Sequence, residues 1–208
     1  MKNILVISSA TKKAYIGLKT ETVEDYCEID ANCKQSENIL YQIDNILNCH
    51  NIDIKDIDAI GIVIGPGSFT GIRIGVALVK GLCANNKNIK IYPISTLDFM
   101  AEHIIDSNKF ICAINALSNL VFVKQFNDCD DCEKLITLDE LNAQDIKKYG
   151  LDEEDVCEEK IVLETKKLIE LTIKKIQQNK SVDVNELSPI YLRNSQAEEN
   201  LKKNQKND

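Results

Sequence analysis

Apolar and polar positions alternate along the chain in blocks that predict α/β architecture. Ile4 to Ile7 is a short continuous apolar run, and Ala14 to Leu18 is a second. The polar stretch Ser8 to Lys13 between them predicts a hairpin. Ser36 then opens a predicted helix, with Glu37 in its first turn. Ile39, Leu40, Ile43, Ile46 and Leu47 recur at helical spacing along one face of it. Asn51 to Asp58 reads as a linker and turn. Ala59 to Ile64 is apolar throughout, as in a strand covered on both faces.

That strand runs into Gly65-Pro66-Gly67-Ser68-Phe69-Thr70-Gly71 and a predicted helix to about Cys83. Ile91 to Ile94 is another strand. Ser95 and Asp98 have capping-box spacing ahead of Leu97, Met100, Ala101, Ile104 and Ile105. Strands alternating with helices imply a sheet with parallel pairs.

The second half restarts with strands at Phe110 to Ile114 and Leu120 to Phe126, turned at Asn115 to Asn119. Thr137 and Glu140 suggest a capped short helix ending near Gly150. Leu168, Ile169, Thr172, Ile173 and Ile176 mark a longer amphipathic helix, and a charged tail is expected beyond Ala197. Because both halves open with a strand hairpin, two duplicated lobes are expected, residues 1–106 and 107–208.

The chain has 208 residues, enough for a sizeable core without disulfide staples. Tryptophan is absent, so Ile, Leu and Val must fill that core. No apolar run is long enough to span a bilayer, and no secretory segment opens the sequence, so a cytoplasmic protein is expected. The net charge of −8 disfavours stand-alone RNA binding, which relies on Lys and Arg neutralising phosphates. Eight cysteines without an export signal are expected to stay reduced. Cys129 and Cys132 form one C-x-x-C, but no second ligand pair matches it, and His50 and His103 stand apart. No metal site is expected.

The segment Gly65 to Gly75 concentrates the chemistry. Pro66 pushes Gly65 toward an extended conformation, Gly67 can take a positive φ, and Ser68 can cap the helix. A glycine loop at a helix N-terminus can cradle an anion, but this one lacks both the P-loop ending and the dinucleotide spacing. Gly71 and Gly75, four apart, instead let another backbone approach closely. Both internal packing and an intermolecular seam are open on the residues alone, with internal packing the simpler reading.

GPGSFTGIRIG, then Ile94-Ser95-Thr96-Leu97, with ILVISSAT at Ile4 to Thr11 and PIYLR at Pro189 to Arg193, closely resembles the signature of the TsaB family. The resemblance implies a two-lobed actin-like (ASKHA, ribonuclease H-like) fold with mixed sheets flanked by helices. It implies a non-catalytic partner of a TsaD-like threonylcarbamoyltransferase acting on tRNA, joined by a TsaE-like ATPase. Transfer RNA would be met only in that complex, and the chain alone is a possible homodimer. ATP and Mg²⁺ would be used by the partners, with no cofactor expected for this chain. The partner-binding helices would be Ser36 to Asn48 and Ser68 to Cys83, so the resemblance favours the seam. Interface positions would be Ile39, Leu40, Ile43, Leu47, Ser68, Phe69, Gly71, Ile72, Gly75 and Leu78. Gly65, Pro66, Gly67, Thr70 and Arg73 would complete the motif loop.

Actin-like ATPases use hairpin acids to hold Mg²⁺, which prefers hard carboxylate ligands. This chain has Ser8 and Asn115 where relatives carry aspartate, so with Thr11 they are expected to mark a vestigial nucleotide site. A degenerate small-molecule kinase and a glycopeptidase-like enzyme are the rival readings. The first lacks the hairpin acids and the second lacks a histidine-rich metal site.

Overall fold

The computed structural model describes residues 3–30, 35–86, 88–128 and 132–193, with only the backbone of 35–37. In chain order the elements are β1 (Ile4–Ser8), β2 (Ala14–Lys19), β3 (Glu24–Ile29), α1 (Gln35–Cys49), β4 (Ala59–Val63), α2 (Phe69–Cys83), β5 (Lys90–Ile94) and α3 (Thr96–Ala101). Then follow β6 (Phe110–Asn115), β7 (Leu120–Phe126), β8 (Lys134–Thr137), α4 (Leu138–Asn142), β9 (Lys147–Leu151), β10 (Glu159–Ile161) and α5 (Thr165–Gln177).

The strands form two five-stranded sheets, ordered β3-β2-β1-β4-β5 and β8-β7-β6-β9-β10. In each, the first three strands of the half pair antiparallel and the last two join in parallel. The second sheet therefore repeats the first strand for strand. The hairpins close at matching register ends: Ser8 stands opposite Tyr15, and Asn115 opposite Val121. This is the two-lobed actin-like arrangement, with mixed sheets flanked by helices.

Successive strand residues face opposite sides of a sheet. A Cβ on Gly17 or Gly61 would meet Thr165, Ile169 or Thr172 of α5. Ile62, the neighbour of Gly61, faces Gly75 of α2. Hence α5 covers one side of the first sheet, while α2, with α1 against it, covers the other. A buried cluster runs from Leu5, Ile7 and Ile62 through Phe99 to Cys112, Ile114 and Leu151 of the second sheet, so one core spans both lobes. Ile111, Ala113, Val121, Val123 and Leu141 form a smaller cluster on the far face.

Several expectations need correction. The last helix does not stay with residues 107–208, because α5 packs on the first sheet; α3 in turn packs on β6 and β7. The helix opened by Ser95 stops at Ala101, leaving Ile105 fully exposed at 104%. Ser95 caps it through Leu97 N, but Asp98 does not close the box: its carboxylate binds Lys124 Nζ at 2.8 Å. The Thr137–Glu140 box forms as expected, yet its helix ends at Asn142 and Gly150 lies in β9. The strands β3, β8, β9 and β10 were not anticipated, being short or charged; β3 (EDYCEI) is an acidic edge. Cys129 and the tail beyond Ala197 lie outside the described residues, and Cys132 is exposed.

Candidate functional site

The glycine motif is built around the first hairpin turn. Ser68 caps α2, its Oγ accepting from Gly71 N at 3.2 Å, while its own N–H donates to Ala10 O at 2.8 Å. Gly67 has φ 153°, and a Cβ there would run into Ala10 O. A Cβ on Gly71 would overlap the Ser9 carbonyl oxygen. One on Gly75 would sit 2.7 Å from Ser9 Oγ and 3.3 Å from Ile62 Cδ1. Ser9 Oγ donates to Gly71 O at 2.8 Å. The glycine ridge thus receives the turn after β1, in the same chain. Gly65 has φ 111°, so it departs from the extended conformation expected before Pro66.

This corrects the expected seam. Gly71 and Gly75 are covered by Ser9, and Ile39, Ile43, Leu47 and Ile72 are core residues exposed by 4% or less. None of these six has a side chain or Cβ position open to a partner. Of the expected interface residues, Leu40 is exposed at 46%, Leu78 and Phe69 are half-buried, and Ser68 lies at the surface. Tyr41, missed in the sequence, is 59% exposed beside Leu40. Half-buried Ile74 and Leu82 flank Leu78 along α2.

The other flank of α2 is strapped by the segment Pro189–Arg193. Ile190 N donates to Ile64 O at 2.8 Å, just before the glycine loop. Phe69 and Tyr191 stack with centroids 5.0 Å apart and planes 9° from parallel. Arg73 Nε donates to the Tyr191 hydroxyl at 2.8 Å, and its guanidinium lies within 5.5 Å of both ring centroids. At the strap's far end Arg193 donates to Ala116 O and Leu117 O of the second hairpin turn. The two sequence motifs are thereby one structural unit. Thr70 is exposed and makes no part of it.

The expected vestigial positions are dispersed in character. Ser8 is fully buried, and its Oγ has no hydrogen-bond partner among the described residues. Thr11 Oγ1 donates to Lys13 O within the turn. Exposed Asn115 accepts from Leu117 N at 2.8 Å, steadying a turn in which Leu117, Ser118 and Asn119 all have φ near 60°. Sequence reasoning passed over Glu153 and Glu154, which lie at the mouth between the hairpins. Lys12 N donates to Glu153 Oε1 at 2.9 Å, and Asn115 N to Glu154 Oε2 at 2.7 Å. Burial pushes the Glu154 carboxyl up to about 6, with neighbouring Glu153 adding to it. Burial first, then Glu28, Glu153 and Asp152, raises the Tyr15 phenol.

These donors do not fit Mg²⁺. Ser8 and Asn115 offer neutral oxygens, and both glutamates are engaged with backbone N–H groups. Among the described residues no group of three His, Cys, Asp or Glu side chains is placed to hold a metal. His103 accepts from Glu164 N at 2.9 Å and bonds Phe99 O at 3.0 Å, so both ring nitrogens are used structurally. His50 pairs with Asp25 at 2.8 Å. No helix among the described residues is long and apolar enough to cross a membrane.

Comparison with known proteins agrees with this architecture. The solved structure of YeaZ from Pseudomonas aeruginosa superposes with a TM-score of 0.76 at 18% identity, over 92% of this chain and 100% of that one. The curated tRNA threonylcarbamoyladenosine biosynthesis protein TsaB of Haemophilus influenzae is 29% identical over 125 residues, 59% of this chain and 52% of its own. The Escherichia coli protein of the same name is 31% identical over 127 residues, 59% of this chain and 54% of its own. The chain thus spans about half the length of the curated relatives it matches. Residues 30–141, more than half of the chain, match the family described as "TsaD: tRNA N6-adenosine threonylcarbamoyltransferase". The chain belongs to that family, and within it is a TsaB/YeaZ-type protein.

Proposed function

We propose that this chain is a non-catalytic subunit in the biosynthesis of threonylcarbamoyladenosine in tRNA, docking on a TsaD-like catalytic protein. The observation that carries the reading is the match of residues 30–141 to the TsaD family together with the TsaB-named relatives. The chemistry of the cleft agrees, since neutral Ser8 and Asn115 stand at the two hairpin ends and nearby carboxylates are spent on backbone donors. The net charge of −8 supports a role in which tRNA is met through the complex. A TsaE-like ATPase joins the pair, ATP and Mg²⁺ being used by the partners, in the cytoplasm. Homodimerisation of the isolated chain would use the same surface.

The docking face is the outer surface of α1 and α2, where Leu40 and Tyr41 project and Leu78 lies half-buried. Exposed apolar side chains grouped on a helix pair are the usual mark of an interaction site. Co-purification with a TsaD-like protein tests the reading. Leu40→Asp and Tyr41→Asp should each abolish capture while leaving the melting temperature unchanged. A wild-type chain that never captures such a protein would sink the proposal; capture that survives both substitutions would move the interface elsewhere.

A further inference from the structure

The residues Asp152 to Glu154 form a tight turn after β9. Glu154 N donates to Leu151 O at 3.0 Å, and Asp152 N to Ile161 O at 2.9 Å, tying the turn to both β9 and the end of β10. Lys160 Nζ donates to Glu154 O from β10. Two consecutive carboxylates leave this anchored turn in different directions. Glu154 takes the Asn115 N–H of the hairpin in its own lobe, and Glu153 takes the Lys12 N–H of the hairpin in the other lobe. Lys12 Nζ closes the same junction on Glu153 O at 2.6 Å.

The internal repeat gives this arrangement its meaning. The hairpins hold matching places in the two sheets, and one backbone N–H from each, Lys12 in the first turn and Asn115 at the end of β6, meets one of two adjacent carboxylates. Donors of that kind at a turn are suited to an anion. Here adjacent side chains of the chain itself supply both anions. Keeping Glu154 charged there is costly, because burial and the neighbouring Glu153 both disfavour its ionised form.

We infer that Glu153 and Glu154 form an interlobe latch: an internal anionic pair that takes the place of an external anion and holds the two hairpin turns at one spacing. The alternative is two unrelated loop caps that happen to be adjacent. The two readings differ in coupling. A latch opens as one unit, so the loss of either carboxylate releases both turns.

Residue-resolved amide hydrogen exchange on the full chain separates them. Glu153→Ala and Glu154→Ala should each raise exchange at both Lys12 and Asn115 by about tenfold, the loss expected for one charge-assisted hydrogen bond. Glu154→Gln keeps an acceptor and should leave both amides protected. Exposed Glu158→Ala should change neither. Should the alanine variants not fold, the wild type still decides: in low denaturant the two amides should exchange through one shared opening, with equal free energy and equal denaturant dependence. Separate opening energies, or variants that each release only their own turn or neither, overturn the latch.

Discussion

Arg73 and Tyr191 lie 118 positions apart in the chain, yet Arg73 Nε donates to the Tyr191 hydroxyl at 2.8 Å. The chain's two arginines are Arg73 and Arg193, among 25 basic residues, and both serve the strap. Lysine fills the other basic positions, but it has no planar guanidinium to lie flat over two rings as Arg73 does. Arg73→Lys and Tyr191→Ala should each cost about 1 kcal/mol through the lost stacking and cation contacts. For a chain of this size that is about 2–4 °C in a thermal melt. Arg193→Lys should raise amide exchange at Leu117 to Asn119, whose left-handed run it helps hold.

Glycine substitutions separate close approach from open space. Gly71→Ala should cost about 3 kcal/mol in urea unfolding, because the Ser9 carbonyl in its way is backbone. Gly75→Ala meets the Ser9 hydroxyl and should cost about 1 kcal/mol after the gain in helix propensity. Gly81 has nothing within 4 Å of its Cβ position, so Gly81→Ala should stabilise the chain by about 0.5–1 kcal/mol. Equal melts for all three variants would contradict the packing.

Glu154 sets a pH dependence of definite sign. Its folded-state value is raised to about 6 from the ordinary 4.5, so the folded chain binds the proton more tightly than the unfolded one. The contribution to stability is fully present below pH 4.5 and is lost as pH rises through about 6. Partial solvent screening limits it to about 1–2 kcal/mol. Glu154→Gln should flatten this part of the stability profile, checked by melts between pH 4.5 and 7.5. An unchanged slope would mean that the carboxyl is not held as described.

Mg-ATP is expected to give no binding heat at micromolar concentration in calorimetry of the purified chain. Restoring one acid does not repair the site: Asn115→Asp sets a new carboxylate beside Glu154, raising its affinity for a proton further and lowering the melting temperature at pH 7.5. Micromolar affinity in the wild type would contradict the donor chemistry of the two turns.

The elements legible in the sequence are those whose own residues satisfy their burial. β1, β4 and β6 are apolar runs, and the faces of α1 and α5 repeat at helical spacing. The acidic edge β3 and the short β9 and β10 gain their order from neighbours distant in sequence, so no local pattern announces them. The Gly71 and Gly75 spacing correctly signalled close approach, but spacing does not name the neighbour: it is the Ser9 turn. Glu153 and Glu154 sit in an acidic stretch that resembles an ordinary solvated loop. Only the fold brings two backbone donors, from Lys12 and Asn115, within their reach.

The return of α5 to the first sheet has a consequence for synthesis. Gly17 and Gly61 are left without side chains so that Thr165, Ile169 and Thr172 can settle on them. While a ribosome has made only the first hundred or so residues, that side of β1, β2 and β4 has no cover. The N-terminal lobe therefore waits for almost the whole chain before its core closes, and a fragment ending before Thr165 should emerge as a sticky, incompletely folded sheet rather than as half of a working protein.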